Sequence, residues 1–146
     1  VEDGYEVILY NHSNEIIFSD IFFKEPGIHW VTDDILEISY SVGSPATYAY
    51  YFDTKNLYIS DIYFNPIIVG DSYIAYMENH EELILRDIFN KGLLEMRIRR
   101  NFAQTANPIS AVRDIEMIDS ENIVVTYFVE PDYTEISEQI KLENAF

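Results

Sequence analysis

Glu15-Ile16-Ile17-Phe18-Ser19-Asp20-Ile21-Phe22-Phe23 is a phrase that the chain writes three times. It returns as Asn56-Leu57-Tyr58-Ile59-Ser60-Asp61-Ile62-Tyr63-Phe64 and as Glu82-Leu83-Ile84-Leu85-Arg86-Asp87-Ile88-Phe89-Asn90. The shared core is three apolar residues, then Ser or Arg, then Asp-Ile-aromatic. Each copy follows a strand-like run and a polar turn, which makes it the returning half of a β-hairpin. The repeat therefore describes architecture, and it sets the fold class as all-β.

Outward from these copies, alternation with period two dominates and helical period is nearly absent. Strands are expected at 5–10 and 15–23 around Asn11-His12-Ser13-Asn14, and at 28–31 and 35–41 around Thr32-Asp33-Asp34. Gly43-Ser44-Pro45 breaks the chain. Further hairpins join 47–52 to 57–64, 73–77 to 83–89, and 112–118 to 123–129, each across a turn rich in Asp, Asn, Glu or Ser. Residues 94–100 read as a strand with Leu94, Met96 and Ile98 on one face, and 101–108 as a loop with room for one helical turn. Residues 134–142 fit a closing strand or a helix, and the strand is preferred. The result is a meander of ten to twelve antiparallel strands in one domain spanning 1–146, either propeller-like with incomplete blades or a β-sandwich. The copies start at 15, 56 and 82, so their spacing is uneven, whereas regular propeller blades recur every roughly 40–50 residues.

A chain of 146 residues can bury a real core, and 48% hydrophobic with 15% aromatic content excludes a disordered chain. Cysteine is absent, so disulfides, thiolate nucleophiles and cysteine-bound metals are excluded. No apolar run approaches the roughly 20 residues of a membrane-spanning helix. The first residues, Val1-Glu2-Asp3-Gly4, lack an initiator Met and read as a mature or trimmed form. The net charge of −17 repels phosphate backbones and anionic lipid, which argues against nucleic-acid and membrane-surface partners. That charge is uneven. Residues 1–85 hold 15 acidic and 2 basic side chains, and residues 114–146 hold 9 and 1. Between them, Arg86, Lys91, Arg97, Arg99, Arg100 and Arg113 face only Asp87 and Glu95, a basic island. Charge pairing between neighbouring strands accounts for it most simply; a docking site for an acidic ligand or a second copy is the sharper reading.

Asp20, Asp61 and Asp87 hold one position in the three copies. They are expected to fix bends by accepting backbone N–H groups, and no cation is assigned to them, since the spaced Asp/Asn/Gly loop of a Ca²⁺ site is missing. His12, His29 and His80 lack zinc-site spacing. His12 and His80 fall in turns and read as solvated, and one of His29 and Trp30 is expected to face the core. No serine-hydrolase elbow or phosphate-binding glycine loop is present. No metal, cofactor or catalytic residue is assigned. The aromatic hairpin is the better lead. Its strand 47–52 sends Tyr48, Tyr50 and Phe52 to one face and Tyr51 to the other, with Tyr58 on the paired strand. If one face is core, the other shows an aromatic platform suited to sugars or protein partners. The binding candidates are Tyr48, Tyr51 and Tyr58, and separately Arg97, Arg99 and Arg100.

The run from Ile28-His29-Trp30-Val31-Thr32-Asp33-Asp34 through Leu36-Glu37-Ile38, Val42-Gly43-Ser44, Tyr51-Phe52-Asp53, Ile59-Ser60-Asp61 and Asn65-Pro66 resembles a group of exported or lipid-anchored β-rich proteins of Gram-positive gut bacteria that share a domain of unknown function. Ile74-Ala75-Tyr76-Met77 and Leu85-Arg86-Asp87-Ile88-Phe89 extend the resemblance across about 5–142. It implies a cell-envelope location and carries no activity or site residue with it. The lipid-attachment Cys of such proteins has no counterpart here. Together these readings expect a non-enzymatic extracytoplasmic module for a protein or glycan partner. The rivals are a carboxylate-based hydrolase acting on glycans and a purely structural assembly domain.

Overall fold

A computed structural model describes residues 4–43 and 46–143. The expected Ser44-Pro45 break and the reading of residues 1–3 lie outside that range. The period-two runs become β1 Tyr5–Tyr10, β2 Ile16–Phe22, β3 Gly27–Trp30, β4 Ile35–Gly43, β5 Ala46–Asp53, β6 Tyr58–Ile59, β7 Tyr63–Phe64, β8 Ile67–Val69, β9 Tyr73–Tyr76, β10 Glu82–Asp87, β11 Glu95–Arg99, β12 Val112–Met117, β13 Asn122–Val129 and β14 Thr134–Lys141. One 3-10 turn, Pro108–Ala111, is the only helical element among the described residues.

Strand pairing is antiparallel throughout and builds four sheets in chain order. Sheet I is β1-β2. Sheet II runs β3-β4-β5-β6, with β7 also on β5. Sheet III runs β11-β10-β9-β8, and sheet IV runs β12-β13-β14. None closes into a barrel. Three apolar layers lie between successive sheets. Val7, Phe18 and Phe22 of sheet I meet Leu36, Ile38, Tyr50 and Phe52 of sheet II. Ala49, Tyr51 and Tyr63 of sheet II meet Ile74, Tyr76 and Ile84 of sheet III. Val69, Ala75, Leu83 and Leu85 of sheet III meet Ile115, Ile123, Val125 and Tyr127 of sheet IV. At the turn into β9, Gly70 has φ +63°, and a Cβ there would come within 2.5 Å of Met117 Sδ. The left-handed backbone favours glycine there, and any side chain would also have to displace Met117.

This layering explains the near-continuous apolar reading of β5. Alternation sends Tyr50 and Phe52 to one layer and Ala49 and Tyr51 to the next, so both faces are core. The sequence reading leaves one face free and displays Tyr51 on it. The structure corrects this: Tyr51 is fully buried, and its hydroxyl donates to Glu37 Oε2 at 2.7 Å. Sheet IV ends the stack with a polar outer face, where Thr126 pairs with Asp114 and Ser137, and Thr126 and Ser137 share a hydroxyl hydrogen bond of 2.7 Å.

Three further expectations are revised. The second copy of the phrase is broken into β6 and β7, because Ser60 turns inward: its N–H donates to Tyr51 O, and its hydroxyl accepts the Tyr51 N–H at 2.8 Å. His29 and Trp30, on opposite faces of the edge strand β3, are both exposed. His80 is half-buried, with Nε2 2.7 Å from Thr105 O, which ties its turn to the long loop. The closing segment is the preferred strand, in register with β13 over its whole length.

The repeated Asp does three different jobs. Asp20 Oδ2 accepts the Tyr50 hydroxyl at 2.5 Å and joins sheet I to sheet II. Asp61 takes Arg86 Nη2 at 2.6 Å. Asp87, buried, accepts the N–H groups of Lys91 at 2.6 Å and Leu94 at 3.2 Å, closing the turn between β10 and β11. Asp87→Ala should lower stability by about 1–3 kcal/mol, because the buried Leu94 N–H loses its acceptor. Urea unfolding of Asp87→Ala beside Asp87→Asn checks this, and an unchanged midpoint for both would refute it.

Candidate functional site

The described surface concentrates aromatic and polar groups where β2, β4, β5 and the broken phrase end together. Phe22 and Tyr40 have ring centroids 5.7 Å apart, Tyr40 and Tyr48 are stacked at 5.8 Å, and Tyr48 meets Phe64 at 5.2 Å. The row exists because Tyr40 and Tyr48 are directly opposed across β4 and β5, and Tyr48 and Phe64 across β5 and β7. Opposed residues of an antiparallel pair share a face.

Two clefts open along this row. One of 550 Å³ is lined by Asp20, Phe22, Lys24, Tyr40, Tyr50 and Ile62. The other, of 320 Å³, is lined by Tyr48, Asp61, Ile62, Phe64, Glu78 and Arg86. Ile62 belongs to both, and the Tyr40–Tyr48 stack bridges them. The rim of the first is apolar: Ile21, Phe23, Val42 and Ile62 are all exposed, Phe23 by 87%.

The polar groups are held in place. Burial, and then the bond to Asp20, pushes the Tyr50 phenol far up, so Tyr50 stays protonated and donates to Asp20. Asp20 also accepts the Ile21 N–H at 2.8 Å. Arg86 is nearly buried. Its guanidinium lies 5.4 Å from the Tyr63 ring centroid, and Nη1 is 3.4 Å from Tyr76 Oη. Burial works to lower its pKa, but the Asp61 bond and the Tyr63 and Tyr76 hydroxyls outweigh it and hold Arg86 charged. Its Nε is buried without a hydrogen-bond partner. Asp20, Asp61 and Glu78 face Lys24 and Arg86, so the groove is close to neutral with a slight negative excess. Flat rings can stack on the apolar faces of a sugar, and the flanking carboxylates and cations can take its hydroxyls.

Of the residues singled out in sequence, Tyr48 lies in this groove. Tyr51 lies in the core. Tyr58 stands at the opposite end of sheet II, opposite Asp53, with Lys91 Nζ 4.3 Å from its ring centroid. The three tyrosines therefore form no common platform. Arg97 and Arg99 both hold Glu82, through Nη1 at 2.6 Å and Nε at 2.9 Å, and the bond to Arg97, then that to Arg99, keeps the Glu82 carboxyl below its ordinary range. Arg100 pairs with Glu138 at 2.7 Å, and Arg113 pairs with Glu135. The simpler reading of the basic island, pairing between neighbouring strands, describes Arg97 and Arg99 with Glu82, whereas Arg100 and Arg113 reach carboxylates on β14, which neighbours neither β11 nor β12. Arg86 is the island residue that reaches the groove.

Sequence reasoning missed Tyr40, Asp20, Asp61 and Arg86 as groove residues. The signal was present in part, since the Asp and the residue before it are the polar positions of the repeated phrase. Among the described residues, no three His, Asp or Glu side chains gather as a cation site would require. No family model matches the chain, and neither does any curated protein or solved structure.

Proposed function

We propose that the chain is a non-enzymatic binding module whose groove takes an extended, neutral glycan outside the cytoplasm. The observation that carries this reading is that two clefts adjoin at Ile62 along the Phe22–Tyr40–Tyr48–Phe64 row. A single sugar would fill one cleft; a chain of several rings spans both. Polar groups fixed on either side of the rings suit hydroxyls, and the strong negative field disfavours uronic-acid chains.

The test is calorimetric titration with neutral oligosaccharides of bacterial and host envelopes, beside acidic ones. Tyr40→Ala and Tyr48→Ala are each expected to weaken binding about three- to tenfold, the loss of one aromatic contact of 0.5–1.5 kcal/mol. Tyr58→Ala, at the far end of the sheet, is expected to leave affinity unchanged. Failure of every neutral glycan to bind, or insensitivity to both groove variants, would refute the reading.

A further inference from the structure

Sheet I is narrower than the sheet it covers. It has two strands, whereas sheet II has five, with β6 and β7 both paired to β5. The rings of β2 meet those of β5: Phe18 lies 5.1 Å from Phe52 and 6.1 Å from Tyr50. Leu36 and Ile38 of β4 are buried in the same layer with Val7, so β1 covers β4. The free edge of β1 therefore points towards β3.

On β3, Ile28 is opposed to Ile38 and Trp30 to Leu36, which puts both on the face that sheet I covers elsewhere. Yet Ile28 is 53% exposed and Trp30 51%. An apolar shelf thus lies beside a strand edge whose N–H and C=O groups have no ladder partner among the described residues.

The charge around this slot selects its occupant. Residues 4–43 carry seven carboxylates and one cation, Lys24. A second copy carries the same net charge of −17. A cationic strand is complementary.

We propose that this slot is a strand-addition site for a basic segment of a partner protein, which pairs with β1 and lays alternate apolar side chains on Ile28 and Trp30. Backbone hydrogen bonds supply the pairing, and the shelf reads every second residue. Lys or Arg at the intervening positions face the acidic surroundings. The site lies at the β3 edge, on the same face of sheet II as the Tyr40–Tyr48 row, and does not depend on a bound glycan.

The probe is a synthetic eight-residue peptide of alternating Val and Lys, followed by fluorescence anisotropy with the intact protein. Three comparisons complete it: the same peptide N-methylated on the residues facing β1, a Val/Glu version, and the variants Trp30→Ser and Ile28→Ser, both at exposed positions. Binding of the Val/Lys peptide is expected, at least tenfold weaker after N-methylation or in either variant, and absent for Val/Glu. Equal binding of the N-methylated peptide would mean charge attraction alone and would overturn the proposal. So would no binding of any peptide, or a sedimenting dimer from which the peptide is excluded, since the slot would then belong to a second copy.

Discussion

Replacing Tyr51 by alanine is expected to destabilise the protein by about 3–5 kcal/mol, the cost of emptying a ring-sized site in a packed core. Tyr51 is fully buried in the layer between sheets II and III, its ring 6.2 Å from that of Tyr63. Tyr51→Phe keeps the ring but leaves Glu37 Oε2 without its donor, and is expected to cost about 1–3 kcal/mol. Urea unfolding followed by circular dichroism separates the two variants. A loss below about 1 kcal/mol for Tyr51→Ala would mean that the ring lies at the surface, as a one-sided sheet would have it.

Alkaline pH is expected to unfold the protein cooperatively. Burial pushes the phenols of Tyr50, Tyr51 and Tyr63 well above the ordinary tyrosine value, and the bonds to Asp20 and Glu37 add to the effect at Tyr50 and Tyr51. At Tyr63 the Arg86 charge opposes burial without overcoming it, and the hydroxyl donates to Ile88 O at 2.6 Å. A raised folded-state pKa means that the unfolded chain ionises first. The stabilisation is therefore fully present below about pH 10, where a free tyrosine titrates, and is lost as pH rises beyond it. The −17 charge grows over the same range and adds repulsion. Circular dichroism should be lost in one step at a pH above the free-tyrosine value, and a step in tyrosinate absorption from the buried tyrosines should coincide with it. Gradual titration of all 12 tyrosines near pH 10 with intact secondary structure would contradict this.

The fold class was legible because strand alternation is a local property. Asn11-His12-Ser13-Asn14 and Asp119-Ser120-Glu121-Asn122 join strands that pair as their patterns require. The stacking was not legible. β5 reads as an aromatic strand whether one face or both are buried, and only its place between sheets I and III decides. The break at Ser60 was hidden for a similar reason: the repeat shows like residues in like places, but Ser60 turns to the Tyr51 backbone whereas Arg86 reaches Asp61. β8 escaped notice because Ile67-Ile68-Val69 is too short for a period.

The groove was half legible. Tyr48 stood out in its aromatic run, but its neighbours come from strands far apart in sequence, and Asp20 and Arg86 belong to different copies of the phrase. Pairing of the arginines followed from charge patterning in kind; the partners, Glu82 on the adjacent strand and Glu138 from 38 residues away, depended on the sheet order.

The most direct measurement on the groove is an NMR titration of the ring and backbone signals with a neutral oligosaccharide of several residues. The proposed function predicts saturable shifts at Tyr40, Tyr48, Phe64, Asp20 and Arg86, spanning both clefts, with Tyr58 and Tyr133 unmoved. Shifts confined to other faces of the protein, or none at any glycan concentration reached, would contradict it.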